Sequence, residues 1–279
     1  MPTIVSASSI RSKNRSLDFS ERTRHEEKLV MKLDGQRVVI IGGSSGIGLE
    51  TAQQALAEGA LVTVAGRSED RLRQAAERLG NSSQGSTTKG ASDRLRCVVA
   101  DLADEASVRS LFAGETRVDH VFVPAGELRP ESGDVLQSHP DRMQAVLDVR
   151  LLGVAHAMRH ARSKMKSGSV TLMSGLYAIR PGTASAMAAA AVAAIEGMTR
   201  ALALDLAPVR VNAVAPGVID TPLWDAFGAQ REAVLARAAA LPVGRIGRPD
   251  EVAAAVIFLM TNGFVTGTVL RIDGGGALV

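Results

Sequence analysis

The sequence predicts an α/β protein of one domain, built on a seven-stranded parallel sheet with helices on both faces. Three observations carry this expectation. Seven short apolar runs alternate with helix-like stretches, as strands buried on both faces do. The chain has 279 residues, 46% of them hydrophobic and 22% charged, an ordinary balance with ample material for a core. No internal repeat or second-domain boundary interrupts the alternation.

The elements follow in order. RVVIIG (37–42) reads as a buried strand, and a helix opens after it at Ile47. LVTVA (61–65) is the second strand, and SEDRLRQAAERL follows with Ser68 as its N-cap. Residues 80–94, rich in Gly, Ser and Thr, read as a surface loop. LRCVVA (95–100), VDHVFV (118–123), SVTLM (169–173), VRVNAV (209–214) and TVLRID (268–273) supply five more strands. Helices are expected over 140–165, 184–206 and 249–262. Such sheets bind ligands beyond the carboxyl ends of their strands.

Composition narrows the function classes. Residues 1–32 hold seven Lys/Arg against four Asp/Glu, whereas residues 33–279 hold 25 of each. A neutral body argues against a nucleic-acid partner, which needs a basic footprint. The first segment lacks apolar periodicity and a signal-peptide core. It reads as a disordered extension, with a basic docking tail as the alternative. The single cysteine, Cys97, excludes an intrachain disulfide framework and a cysteine-built zinc site, so no metal is expected. Cytosol is the simplest compartment. No apolar run reaches the length of a membrane span on this reading, which predicts a soluble protein with a cytoplasmic location and no membrane partner.

The chemistry-bearing motif follows the first strand. Gly42-Gly43-Ser44-Ser45-Gly46-Ile47-Gly48 lets the backbone turn tightly and approach a pyrophosphate. The helix behind it offers free N–H groups and the positive end of its dipole. The second strand ends at Ala65-Gly66-Arg67. An acid there would accept from a ribose 2′-hydroxyl and favour NAD(H). Gly66 offers none, and Arg67 can fork onto a 2′-phosphate, so NADP(H) is favoured over NAD(H). Glu69 and Asp70 compete for the same arginine. Asp101, ending the third strand, is placed to accept from an adenine amino group or to cap a helix.

These motifs resemble the short-chain dehydrogenase/reductase family over about residues 33–279. GGSSGIG matches its glycine loop, and VVADLADEASV (98–108) its adenine-contacting segment with Asp101 and Leu102. ALALDLAPVRVNAVAPGVIDTPL (201–223) and RIGRPDEVAAAVIFLMTNGFVTGTVLRIDGG (245–275) are similar to its C-terminal half. The resemblance implies a doubly wound Rossmann fold, a nicotinamide cofactor, a small-molecule substrate, and a homodimer or homotetramer. It places Ala125, Gly126, Pro216, Gly217, Ile219 and Thr221 beside the cofactor. Residues 222–244, with Trp224 and Phe227, would form a lid over the substrate.

One departure stands out. Family members reduce carbonyls with a Ser, a Tyr and a Lys, helped by an Asn. Ser174 matches the serine, but Met187 and Ala191 stand where Tyr and Lys are expected, and Arg150 where the Asn is expected. The only tyrosine, Tyr177, lies three residues after Ser174 and is the candidate for a relocated acid; the alternative is a loop residue facing water. Arg150 or Arg180 would assist it, although Arg150 has Asp148 as an alternative partner. Glu127 and Arg129, after the fourth strand, are further pocket candidates against a solvated-loop alternative. Three functions are left open: a reductase with an unusual or activated acceptor, an NADP(H)-binding regulatory or structural protein without turnover, and a non-redox isomerase or cyclase.

Overall fold

A computed structural model describes residues 32–82, 92–126, 135–228, 231–232, 236 and 240–279. The N-terminal extension through residue 31, and Glu127 and Arg129, lie outside the described residues.

Seven strands form one parallel sheet: β1 (Arg37–Ile41), β2 (Leu61–Gly66), β3 (Leu95–Val99), β4 (His120–Val123), β5 (Ser169–Met173), β6 (Arg210–Pro216) and β7 (Val269–Ile272). Their spatial order is β3-β2-β1-β4-β5-β6-β7, so the winding reverses between β1 and β4. That reversal opens a crevice at the carboxyl ends of these two strands, the place where doubly wound sheets bind ligands.

Alternation along β1 divides two cores. Val38 and Ile40 face one layer, Val39 and Ile41 the other. The first layer comprises α1 (Gly46–Ala57), α2 (Glu69–Ser82) and α7 (Pro249–Thr261), packed through Leu49, Ala52, Leu72, Val252 and Val256. The second comprises α3 (Glu105–Ala113), α5 (Gly153–Ala161) and α6 (Ala186–Asp205), packed through Leu111, Phe112, Val154, Met158 and Ile195. Burial on both faces explains why the central strands read as near-continuous Val and Ile. The edge strand β3 is half exposed, and Val99 is an exposed apolar residue on it.

Helix ends follow local chemistry. Ser68 Oγ accepts from the Arg71 N–H at 3.3 Å, the expected cap of α2. Asp104 Oδ1 accepts from Ala106 N–H at 2.9 Å and caps α3. At α7, Glu251 accepts from the Arg248 N–H at 2.8 Å, with Pro249 at the first helical position.

The structure corrects three expectations. The helix expected over 140–165 is broken into α4 (Pro140–Leu147), a π-helical turn (Asp148–Leu152), α5 and a 3₁₀ turn (Arg162–Lys164). Apolar periodicity does not register one extra residue in a turn. The expected loop 80–94 starts late, because α2 runs on to Ser82. Finally, α6 is long and apolar enough to cross a membrane by length and composition, at a mean hydropathy of 1.4. One face of it, with Ala188, Ala191, Val192, Ile195 and Thr199, is buried within the fold, while most of the helix is not.

Candidate functional site

The glycine loop sits at the topological switch. Gly42 has φ +106°, a left-handed conformation that a side chain resists, and donates its N–H to Ala65 O at 2.8 Å. A Cβ on it would lie 2.8 Å from Ala125 N, and Ala125 donates that N–H to Ile41 O at 3.1 Å. The backbones leaving β1 and β4 therefore touch. Ser44 and Ser45 form the rest of the turn, and Gly46, at φ +52°, opens α1. Ile47 and Gly48 follow in the first turn, Gly48 pressed against Gly42 O. The Ser45 side chain makes no capping hydrogen bond. First-turn amides of a helix have no intrahelical acceptor, and they are a ready anion site.

A cleft of about 420 Å³ adjoins this loop, lined by Ser44, Ser45, Gly46, Glu50, Arg78, Asp220 and Pro222 among others. Arg78, from α2, is a cation that motif reading did not single out. Its only sequence signal is the spacing of seven from Arg71 on the same helix. Gly66 ends β2 with its missing Cβ 3.4 Å from Ser44 Oγ, and Arg67 follows it on the surface.

Asp101 performs local work. Its Oδ1 accepts from Ala103 N–H at 3.0 Å, and its own N–H donates to Ser107 Oγ at 3.0 Å. The capping alternative falls to Asp104 instead. Leu102 is buried, and its carbonyl lies against Gly153, where a Cβ would be 2.5 Å away.

The segment after β6 closes over the same region. Gly217 donates its N–H to Ile272 O at 3.0 Å. Ile219 is buried and bridges to Gly247. The Thr221 methyl lies 3.3 Å from where a Cβ of Gly46 would be, so the Pro216–Thr221 stretch reaches the start of α1. Trp224 Nε1 donates to Ile219 O at 2.7 Å, and its ring meets Phe227 at 5.3 Å between centroids. The indole is buried and anchors the start of the expected lid.

Ser174 follows β5 as expected and is buried. Its Oγ lies 3.2 Å from Val192 O and 3.1 Å from Glu196 Oε1, both on one face of α6. Its single proton is thus directed at α6, and Glu196 is a neighbour that motif reading missed. Met187 is half-buried in the first turn of that helix, while Ala191 is fully buried. Tyr177 sits half-buried in the 3₁₀ turn Leu176–Ala178, and its hydroxyl has no hydrogen-bond partner among the described residues.

The two arginines expected near Tyr177 separate. Arg180 Nη1 donates to Gly276 O at 3.0 Å, tying this turn to the C-terminal loop. Arg150 lies in the π turn with its guanidinium against Gly126; a Cβ there would be 2.6 Å from its Cζ. Burial pushes its pKa below the ordinary value. The Asp148–Arg150 pairing does not form, because Asp148 Oδ1 accepts from Gln144 Nε2 at 2.7 Å. Among the described residues no cluster of three or more His, Cys, Asp or Glu has metal-binding geometry.

The residues at the switch fit a dinucleotide: a glycine cradle, free first-turn amides, and an acid-free, arginine-bearing end to β2. Comparisons with known proteins agree. A family model described as Enoyl-(Acyl carrier protein) reductase matches residues 42–276. The short-chain dehydrogenase/reductase ATR9 of Stachybotrys chlorohalonatus (strain IBT 40285) is 36% identical over 262 residues, covering 88% of this chain and 98% of that one. The solved MalC Reductase/Diels-Alderase from Malbranchea aurantiaca matches with a TM-score of 0.79 at 30% identity, over 88% of this chain and 97% of that one. A small-chain dehydrogenase solved in complex with NADPH matches with a TM-score of 0.73 at 32% identity, over 88% of this chain and all of that one. With the switch-point loop, the strand order and nearly full-length relatives in agreement, the chain belongs to the short-chain dehydrogenase/reductase family.

Proposed function

We propose that this chain is an NADP(H)-dependent oxidoreductase with an atypical active site, which reduces an unusual or activated acceptor. The observation that carries the proposal is the tightly packed glycine loop at the switch point combined with Met187 and Ala191 where the family's Tyr and Lys are expected. When bound, the nicotinamide supplies hydride. Gly42, Ser44, Ser45, Gly46, Ile47 and Gly48 would hold its pyrophosphate, Arg67 its 2′-phosphate, and Asp101 and Leu102 its adenine. Ala125, Gly126, Pro216, Gly217, Ile219 and Thr221 would border the nicotinamide half. Thioether and methyl groups transfer no proton at neutral pH, so an ordinary ketone would lose the roughly 10²–10⁴-fold help of a general acid. An iminium or similarly activated acceptor develops no alkoxide and needs no such help. Tyr177 is the one phenol in the chain and would serve as acid only from its loop.

Ser174 supports a second reading. A hydroxyl directed at Val192 and Glu196 is not offered to a substrate, as in an NADP(H)-binding protein without turnover. NADPH consumption against ketones, enones and cyclic imines separates the two. Activity on imines above ketones is expected. Tight NADPH binding with no turnover on any class would select the second reading, and no NADPH binding at millimolar cofactor would sink both. Tyr177→Phe then tests the relocated acid: activity on any proton-requiring acceptor should fall about a hundredfold or more. Full activity in the variant would remove Tyr177 from the chemistry.

A further inference from the structure

We propose that Arg150 is an anion anchor in the substrate pocket, and that the acceptor carries a carboxylate gripped by its guanidinium. The inference rests on the oxidoreductase reading and names the substrate class for it.

Several other arginines in the fold are matched to acceptors. Arg210 donates to the carbonyls of Leu259, Met260 and Val265. Arg245 and Arg248 hold Glu251 and Asp250. Arg180 donates to Gly276 O. Arg150 differs from these four. Its Nε is shut off from solvent with no hydrogen-bond partner, and its guanidinium makes no hydrogen bond or ion pair among the described residues. The nearest acid in sequence, Asp148, is turned to Gln144.

Arg150 is half-buried as a residue, but a closed-off Nε–H without an acceptor is costly, and a partly desolvated charge favours an opposite charge beside it. A residue with a purely structural role would be expected to have found them. The side chain is also held in place rather than loose. It lies across Gly126, where any side chain would collide with it, and its backbone belongs to a π turn packed against α6. Single π turns recur at functional sites.

Position gives the ligand. Gly126 follows β4 at the crevice, between the glycine loop after β1 and Ser174 after β5. On the proposed cofactor reading, the cofactor's phosphates would be held by the α1 amides and Arg67. The planar fork of a guanidinium matches a carboxylate through two parallel N–H donors, and the idle Nε belongs to one such edge.

The test uses the full chain and measures thermal unfolding with sodium acetate, sodium phosphate or sodium chloride at matched ionic strength, with and without NADP⁺. Acetate at about 50 mM should raise the wild-type midpoint by about 2–4 °C over chloride. Arg150→Met should lose that increment, and should unfold at a higher midpoint than wild type in chloride. Arg150→Lys should keep part of the acetate response. An acetate response equal to chloride, or one retained in Arg150→Met, overturns the proposal. So does an Arg150→Met protein that is destabilised or fails to fold, because the guanidinium is then structural. A response to phosphate alone, or loss of NADP⁺ stabilisation in Arg150→Met, assigns Arg150 to a phosphate and overturns it equally. If NADP⁺ does not stabilise wild type, the cofactor reading fails on that arm, while the acetate arm still decides on Arg150.

Discussion

His120, the first residue of β4, is buried and hydrogen-bonded at both ring nitrogens. Nε2–H donates to Gln36 Oε1 at 2.6 Å, which leaves Nδ1 to accept from the Ser169 hydroxyl at 2.8 Å. Burial pushes its pKa from 6.5 down to about 4. The unfolded chain therefore takes up this proton near the ordinary value, and the folded chain only near 4. Stability contributed by neutral His120 is complete above the ordinary pKa and is lost as pH falls towards 4. Between pH 7 and 5 the loss should be about 2 kcal/mol. Urea midpoints of wild type and His120→Asn at both pH values test this. Equal pH slopes in the two proteins would refute it. At Arg67 the effect is on ligand choice. A charge-assisted bond to a 2′-phosphate is worth roughly 1.5–3 kcal/mol, so Arg67→Asp should weaken NADPH binding by about tenfold or more and narrow its lead over NADH. Fluorescence titration with both cofactors reads the ratio, and an unchanged ratio removes Arg67 from recognition.

The π turn and the helix after it matter as elements, because they set the spacing between the Asp101–Leu102 loop and α6. Gly153 begins α5 directly against Leu102, and a Cβ there would lie 2.5 Å from that carbonyl oxygen. Backbone cannot yield as a flexible side chain can. Gly153→Ala should therefore cost roughly 2–3 kcal/mol and loosen the Asp101–Leu102 loop proposed to hold the adenine. Calorimetry gives the first quantity and NADPH titration the second. A stable variant with weakened cofactor binding would show that the loop moves rather than the helix. Ser174 bears on the same layer, since its bond to Glu196 holds the end of β5 to α6.

Among the described residues, one face of α6 is exposed at the scale of the whole molecule. Ala190, Ala193, Gly197 and Ala201 are exposed along it, and Leu204 is 80% exposed near its end. Beside this face a groove of about 370 Å³ runs between α5 and α6, lined by Met158, Met198, Leu202 and Leu206 among others. Small residues at helical spacing let a second helix approach closely, and the homo-oligomer that the family resemblance implies would form here. Ala193→Arg should shift the mass of the native particle towards monomer in sedimentation equilibrium. A wild-type monomer, or an unaffected oligomer, would remove this face from assembly.

Legibility followed the range of the interactions involved. All seven strands and the glycine loop were legible because burial on two faces and a tight turn both leave marks on neighbouring residues. The break in the 140–165 helix was not, because a π turn costs one residue of register and no composition. Nor was the ligand role of Asp101 resolved from its position alone, since its carboxylate turns to Ala103 two residues away. The sequence by itself determined the fold class, the glycine loop, and the presence of a single tyrosine, all of which are local or compositional properties. Only the tertiary structure decided that Ser174 meets Glu196, that Arg180 reaches Gly276, and that Arg150 lies on Gly126 without a partner among the described residues. Each of those depends on how elements far apart in the chain pack together, and no spacing along the chain encodes the angle at which a side chain meets a neighbour from another element.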